Sequence, residues 1–94
     1  MPNIPVEIDG ARIILYSVKS YPLDFGYVID ESGNNIPIKI LVIAQYKDDT
    51  DFYVFDCDEN WRVWGDTVHE SLEEAKIVAK DSSPQAEHID WQKP

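Results

Sequence analysis

Apolar and polar positions alternate with a period of two over most of this chain, then switch to a helical period near residue 71. Ala11 to Val18 (ARIILYSV) is rich in β-branched and aromatic residues and reads as a strand. Met1 to Pro5 precedes it as a loose lead-in, because Pro2 and Pro5 oppose regular structure. Ser20, Tyr21, Pro22 and Asp24 form a loop, and Gly26 to Asp30 (GYVID) is a second strand. It ends in Glu31-Ser32-Gly33-Asn34-Asn35, where Gly and Asn tolerate the positive φ of a hairpin turn. Ile36 to Tyr46 reads as one long third strand, with Pro37 at its start or on an edge. Alternation sends Ile38, Ile40, Val42 and Ala44 to one face and Leu41, Ile43 and Gln45 to the other. A strand apolar on both sides is central and covered on both faces. Phe52 to Cys57 is the fourth strand, between the polar turns Lys47 to Asp51 and Asp58 to Asn60. The fifth runs from Trp61 to Thr67 or Val68.

The change of period comes at Ser71-Leu72-Glu73-Glu74, which fits the capping box S-x-x-E. Leu72, Ala75, Val78 and Ala79 then fall on one side of a helix from about Leu72 to Lys80. Glu73 and Glu74 lie in its first turn and Lys76 and Lys80 later, as the helix dipole prefers. Asp81-Ser82-Ser83-Pro84 stops it, and Ile89 and Trp91 in the tail dock on the sheet as a short strand or fold against it. The fold class is therefore α+β: an antiparallel sheet of about five strands in a meander, with one C-terminal helix packed on one face, forming a single domain over residues 1–94. Phe52 and Val54 point to one side, Tyr53 and Phe55 to the other, and Trp61 and Trp64 are out of phase. One short helix does not cover all of these, so either the N-terminal segment covers the remainder or part of the aromatic surface stays exposed to meet a partner, the second being the expectation.

Charge narrows the partners. Eighteen Asp and Glu against eight Lys and Arg give a net charge of −10. Affinity for nucleic acid comes largely from Lys and Arg neutralising phosphates, so DNA and RNA are not expected partners. An anionic membrane surface repels this chain for the same reason, and no apolar run is long enough to span a bilayer. A basic protein is attracted, with faster encounter at low salt. Cys57 is the sole cysteine, which excludes an intramolecular disulfide, and no signal peptide is legible. A reducing cytoplasm is the expected location.

Candidate chemistry is sparse. Asp56-Cys57-Asp58-Glu59-Asn60 opens like a calcium loop, but Trp61 stands where the turn needs Gly and Thr67 where a bidentate Glu is needed. Cys57 lies in a strand between Asp56 and Asp58, which disfavour the thiolate a nucleophile requires, and it reads as a core residue. His69 has no second His at ligand spacing; with Asp66 and Thr67 it reads as a polar joint satisfying backbone groups between strand and helix. Gly10, Gly26, Gly33 and Gly65 are scattered and make no phosphate loop. No catalytic residue, metal site or cofactor is assigned. What remains is acid beside aromatic residues. Asp48, Asp49 and Asp51 form one acidic turn, and Asp58 and Glu59 another at the opposite end of the sheet, near Trp61 and Trp64. These seven residues are the candidate partner-binding set, because Trp beside charge makes interface anchors.

The stretch F-Y-V-F-D-C-D-E-N-W from Phe52, followed by D-T-V-H-E-S-L-E-E-A-K from Asp66 and by Trp91, resembles small uncharacterised bacterial proteins, some of them immunity-protein-like, over about residues 52–91. That resemblance implies no catalytic residues. It implies structural roles for Trp61 in the core, Asp66 and His69 at the strand–helix joint and Ser71 as cap. The expected function is a non-enzymatic cytoplasmic protein-binding domain, an immunity-type inhibitor of a basic toxin. The alternative is a structural protein that forms homo-oligomers through a sheet face or edge.

Overall fold

An Asp-Gly pair opens the architecture. Asp9 and Gly10 both adopt positive φ (50° and 81°), the backbone of a two-residue hairpin turn. They join β1 (Glu7–Ile8) to β2 (Ala11–Val18). The computed structural model describes residues 4–19, 23–81 and 89–94. The lead-in residues Met1 to Asn3, the loop residues Ser20 to Pro22, the helix-stop residues Ser82 to Pro84 and His88 lie outside those described.

The further elements are β3 (Tyr27–Ile29), β4 (Asn35–Pro37), β5 (Ile40–Gln45), β6 (Phe52–Cys57), β7 (Val63–His69) and α1 (Leu72–Asp81). Five strands form one antiparallel sheet in the order β1-β2-β5-β6-β7, while β3 and β4 form a separate two-stranded ribbon. The fold is thus the expected α+β sheet with a C-terminal helix, but its membership differs. Gly26 to Asp30 supplies the ribbon and not the sheet, and β1 takes the fifth place. The predicted third strand is broken. Ile36 belongs to the ribbon, the chain bends at Ile38 and Lys39, and β5 starts afresh at Ile40. The bend is fixed by backbone bonds: the Phe25 amide donates to the Ile38 carbonyl, the Ile38 amide to Gly26, and the Lys39 amide to Cys57. Strict alternation fails there, and Ile38 joins the face of Leu41 and Ile43.

β5 is central, and Ile40 to Ala44 are all buried. One of its faces carries Leu41 and Ile43, which pack with Leu15, Val54, Ala75 and Ala79, so this is the face the helix covers. Phe25 and Ile38 extend that core beneath the ribbon, and Ile89 and Trp91 of the tail pack against it. The tail also pairs with β2: the Tyr16 and Gln92 amides and carbonyls exchange hydrogen bonds of 3.0 and 2.7 Å. Two bulges adjust the sheet. Ile14 is the extra residue between Ile13 and Leu15, and Trp64 is the extra residue opposite the Asp56–Cys57 step. Both side chains turn to the helix face.

The helix starts as its cap predicts. The Glu74 amide donates to the Ser71 hydroxyl at 3.1 Å. The Glu74 carboxylate lies 3.4 Å from Nδ1 of buried His69, and the Thr67 hydroxyl lies 2.7 Å from Nε2. A carboxylate only accepts, so Nδ1 donates to Glu74, and Nε2 shares its hydrogen bond with the Thr67 hydroxyl. The joint is therefore made by side chains, whereas backbone groups were the expected partners. Asp66 takes no part in it. It sits mid-β7 opposite Phe55, exposed, on the other face of the sheet. No helix among the described residues is long and apolar enough to cross a membrane.

Candidate functional site

The sheet face opposite the helix has its own core. Ile13, Ile40, Val42, Ala44, Phe55 and Cys57 are buried there, with Ile8 and Ala11 of the first hairpin closing one side. No helix among the described residues lies over them. Tyr16, Tyr46, Tyr53 and Trp61, each half-buried, form the outer layer instead. Tyr16 and Trp61 meet at 5.8 Å between ring centroids. Tyr46 stands edge-on to Tyr53 at 5.0 Å, and Tyr53 stacks towards Phe55 at 6.2 Å. Such tilted and edge-on rings suit the aromatic quadrupole, and both groups of rings stay part-open to solvent.

Acid rims the Tyr53 end. Desolvation raises the Tyr53 hydroxyl above its ordinary value, and the charges of Asp49, Asp51 and Asp66 push it in the same direction. Asp49 and Asp51 are tied together in the β5–β6 turn, where the Asp51 amide donates to Asp49 Oδ1 at 2.9 Å. Asp48 takes φ +64° in that turn, and the Asp49 amide donates to the Tyr46 carbonyl. The turn residues Asp48, Asp49 and Asp51 are thus assembled beside Tyr46 and Tyr53.

Asp58, Glu59, Trp61 and Trp64 gather at the other end of β6, but they do not share one surface. Asp58 organises the β6–β7 turn from within. Its Oδ1 accepts from the amides of Asn60 (2.8 Å) and Arg62 (3.1 Å), and its Oδ2 accepts from Nε1 of Trp64 (3.0 Å). Burial works against its charge, yet the bonds from Trp64, Arg62 and Asn60 and the Arg62 guanidinium outweigh it and hold the carboxyl below its ordinary value. Trp64 packs on the helix-side core with the Arg62 guanidinium 4.5 Å above its ring. Glu59 is exposed. Trp61 alone of the two tryptophans belongs to the aromatic face, and the fifth strand begins after it, at Val63.

The conformation of Trp61 sets it apart. Its φ is +65°, a left-handed value costly for a bulky side chain. The β3–β4 loop has the same hydrogen-bond pattern. There Asp30 accepts from Gly33 and donates to Asn34, and its side chain accepts from the Ser32 and Asn34 amides. Here Asp58 accepts from Trp61, donates to Arg62, and its side chain takes the Asn60 and Arg62 amides. Both are three-residue hairpin loops whose last residue is left-handed. Gly33 fills that position in one, at φ +83°, and Trp61 fills it in the other.

Sequence reasoning found Trp61 and the acidic turns but missed Tyr16, Tyr46, Tyr53 and Asp66. Tyr53 was legible in part, since alternation placed it opposite Phe52. Tyr16 and Tyr46 became neighbours of this face through the pairing of β2 with β5. Cys57 lies beneath the aromatic layer, its thiol pushed up to about 12 by burial and by Asp56, Asp58 and Asp9. The fold and site together define a small antiparallel α+β domain with an acid-rimmed aromatic face. No family model, no curated protein and no solved structure matches the chain.

Proposed function

We propose that this chain is a non-enzymatic, cytoplasmic protein-binding domain whose aromatic face docks a basic protein, in the manner of an immunity-type inhibitor that meets a basic toxin. The observation that carries this reading is Trp61. A Trp held where the sister loop uses Gly stores about 1–2 kcal/mol of backbone strain, and its ring stays half-open on the face that lacks a helix. Trp and Tyr on a part-exposed apolar layer are the residues that anchor interfaces. Asp49, Asp51 and Asp66 beside Tyr53 supply the charge that a basic surface seeks. The thiol best placed to be a nucleophile is buried and held protonated, which speaks for binding over chemistry.

The test compares the tagged wild-type domain with the Trp61→Gly and the Asp49→Lys/Asp51→Lys variants as bait in source-cell lysate. The expected result is one basic protein recovered in stoichiometric amount, weakened by moderate salt and lost from both variants while they remain folded. Equal recovery by wild type and both variants would exclude this face.

A further inference from the structure

The two borders of the sheet are finished differently. On one side, two-residue β1 pairs with the start of β2, and the tail continues along β2 through both Tyr16–Gln92 hydrogen bonds. On the other side, β7 is paired with β6 from Val63 to His69 and has no strand beyond it among the described residues. Proteins usually blunt an open edge with Pro, Lys, a bulge or a very short strand. β7 has its bulge at one end, at Trp64. Gly65 to His69 then runs on without Pro or Lys, and Asp66, Thr67 and Val68 are exposed, Val68 by 53%.

Cross-strand pairing fixes which face each of these residues shares. Asp66 stands beside Phe55 and Val68 beside Tyr53, so both lie on the aromatic face. A second copy is a poor occupant of this edge. Symmetric pairing about the middle of β7 sets Asp66 against Asp66, on two chains each of net charge −10. A segment of opposite charge gains where a second copy loses.

We propose that the free edge of β7 takes an extended, basic segment of the partner as a sixth strand, with alternate Lys or Arg side chains lying beside Asp66 and Val68 and reaching across Val68 towards Tyr53. This rests on the binding role proposed for the aromatic face and adds how the partner is held. Main-chain hydrogen bonds to β7 hold the segment, and the carboxylates and rings select its sequence. A cation above Tyr53 meets the ring face and the nearby carboxylates together.

The experiment selects random peptides of about ten residues, displayed on phage, against the intact protein at low salt. The expected winners place Lys or Arg at alternate positions with β-branched or aromatic residues between, and lack Pro in the middle. The consensus peptide is then made in two forms, N-methylated on one or the other alternate set of backbone amides. An added strand points only one set at β7, so one form should bind at least about tenfold weaker than the other. The amides among residues 65–69 that face away from β6 should become protected from hydrogen exchange by the unmodified peptide. No enrichment, equal binding of the two N-methylated forms, or unprotected β7 amides would each overturn strand addition. If basic peptides still bind and are lost with Asp49→Lys/Asp51→Lys, the docking role of the aromatic face survives and only strand addition fails. If the lysate partner is also indifferent to that double variant, both fail.

Discussion

Asp58 shows how one carboxylate serves a turn. It accepts from two amides and an indole, all from the next six residues of chain, so Asp58→Ala leaves three donors to find water. We expect Asp58→Ala to destabilise the domain by about 1–2 kcal/mol, the low end because the turn is part-exposed, measured by urea unfolding. Its folded pKa lies below the ordinary carboxylate value, so its stabilisation is present above that range and is lost as pH falls through the depressed value. Asp56 has the opposite sign. Burial, and then Asp66, raises its pKa, so its contribution is present at low pH and is lost as pH rises through the raised value. Asp56→Asn should therefore raise the melting temperature near neutral pH and leave it nearly unchanged in acid; a variant less stable at neutral pH would contradict this. The same scale explains Trp61. A three-residue loop of this kind needs a left-handed last residue, and the residue pattern gave no sign that Trp would occupy it.

Among the elements, α1 was the most legible. Ser71 and the spacing of Leu72, Ala75, Val78 and Ala79 predicted its start and buried side; the helix presents Ala75 and Ala79 to the sheet as expected, while Val78 is only half-buried. Capping is local chemistry, within one turn, which is why sequence carries it. Ser71→Ala should cost about 1 kcal/mol, read from thermal melts, with β-sheet content unchanged. β1 was missed although Asp9-Gly10 between Ile8 and Ala11 is a strong two-residue hairpin signal; a two-residue strand has no periodicity of its own. The break at Ile38 and Lys39 was missed because the apolar run is continuous across it. Only the bonds from Lys39 to Cys57 and from Ile38 to Gly26 show that two different sheets claim its two halves.

Over the whole molecule, charge and exposed apolar surface oppose each other. The ribbon exposes Tyr27 and Ile29, with Leu23 and Val18 also exposed, which favours self-association. A net charge of −10 and Asp66 on the open edge resist it. We expect sedimentation equilibrium at neutral pH and low salt to give a monomer. A stable dimer under those conditions would instead support the homo-oligomeric alternative, through the ribbon face or the edge.

The chain alone determined what depends on near neighbours and on composition: the alternating strands, the two-sided apolar centre of β5, the capped helix, the acidic balance and the protonated, inward Cys57. Only the tertiary structure decided which strands share a sheet, that the helix covers Leu41 and Ile43, and which face each of the out-of-phase Trp61 and Trp64 joins. Those outcomes follow from pairing between segments far apart in sequence, from a bulge that inserts Trp64 on the helix face, and from a loop that turns Trp61 left-handed. Alternation fixes faces within a strand but is reset by every bend and bulge. The joining of Tyr16, Tyr46, Tyr53 and Trp61 into one surface was therefore settled by long-range register, which no local pattern encodes.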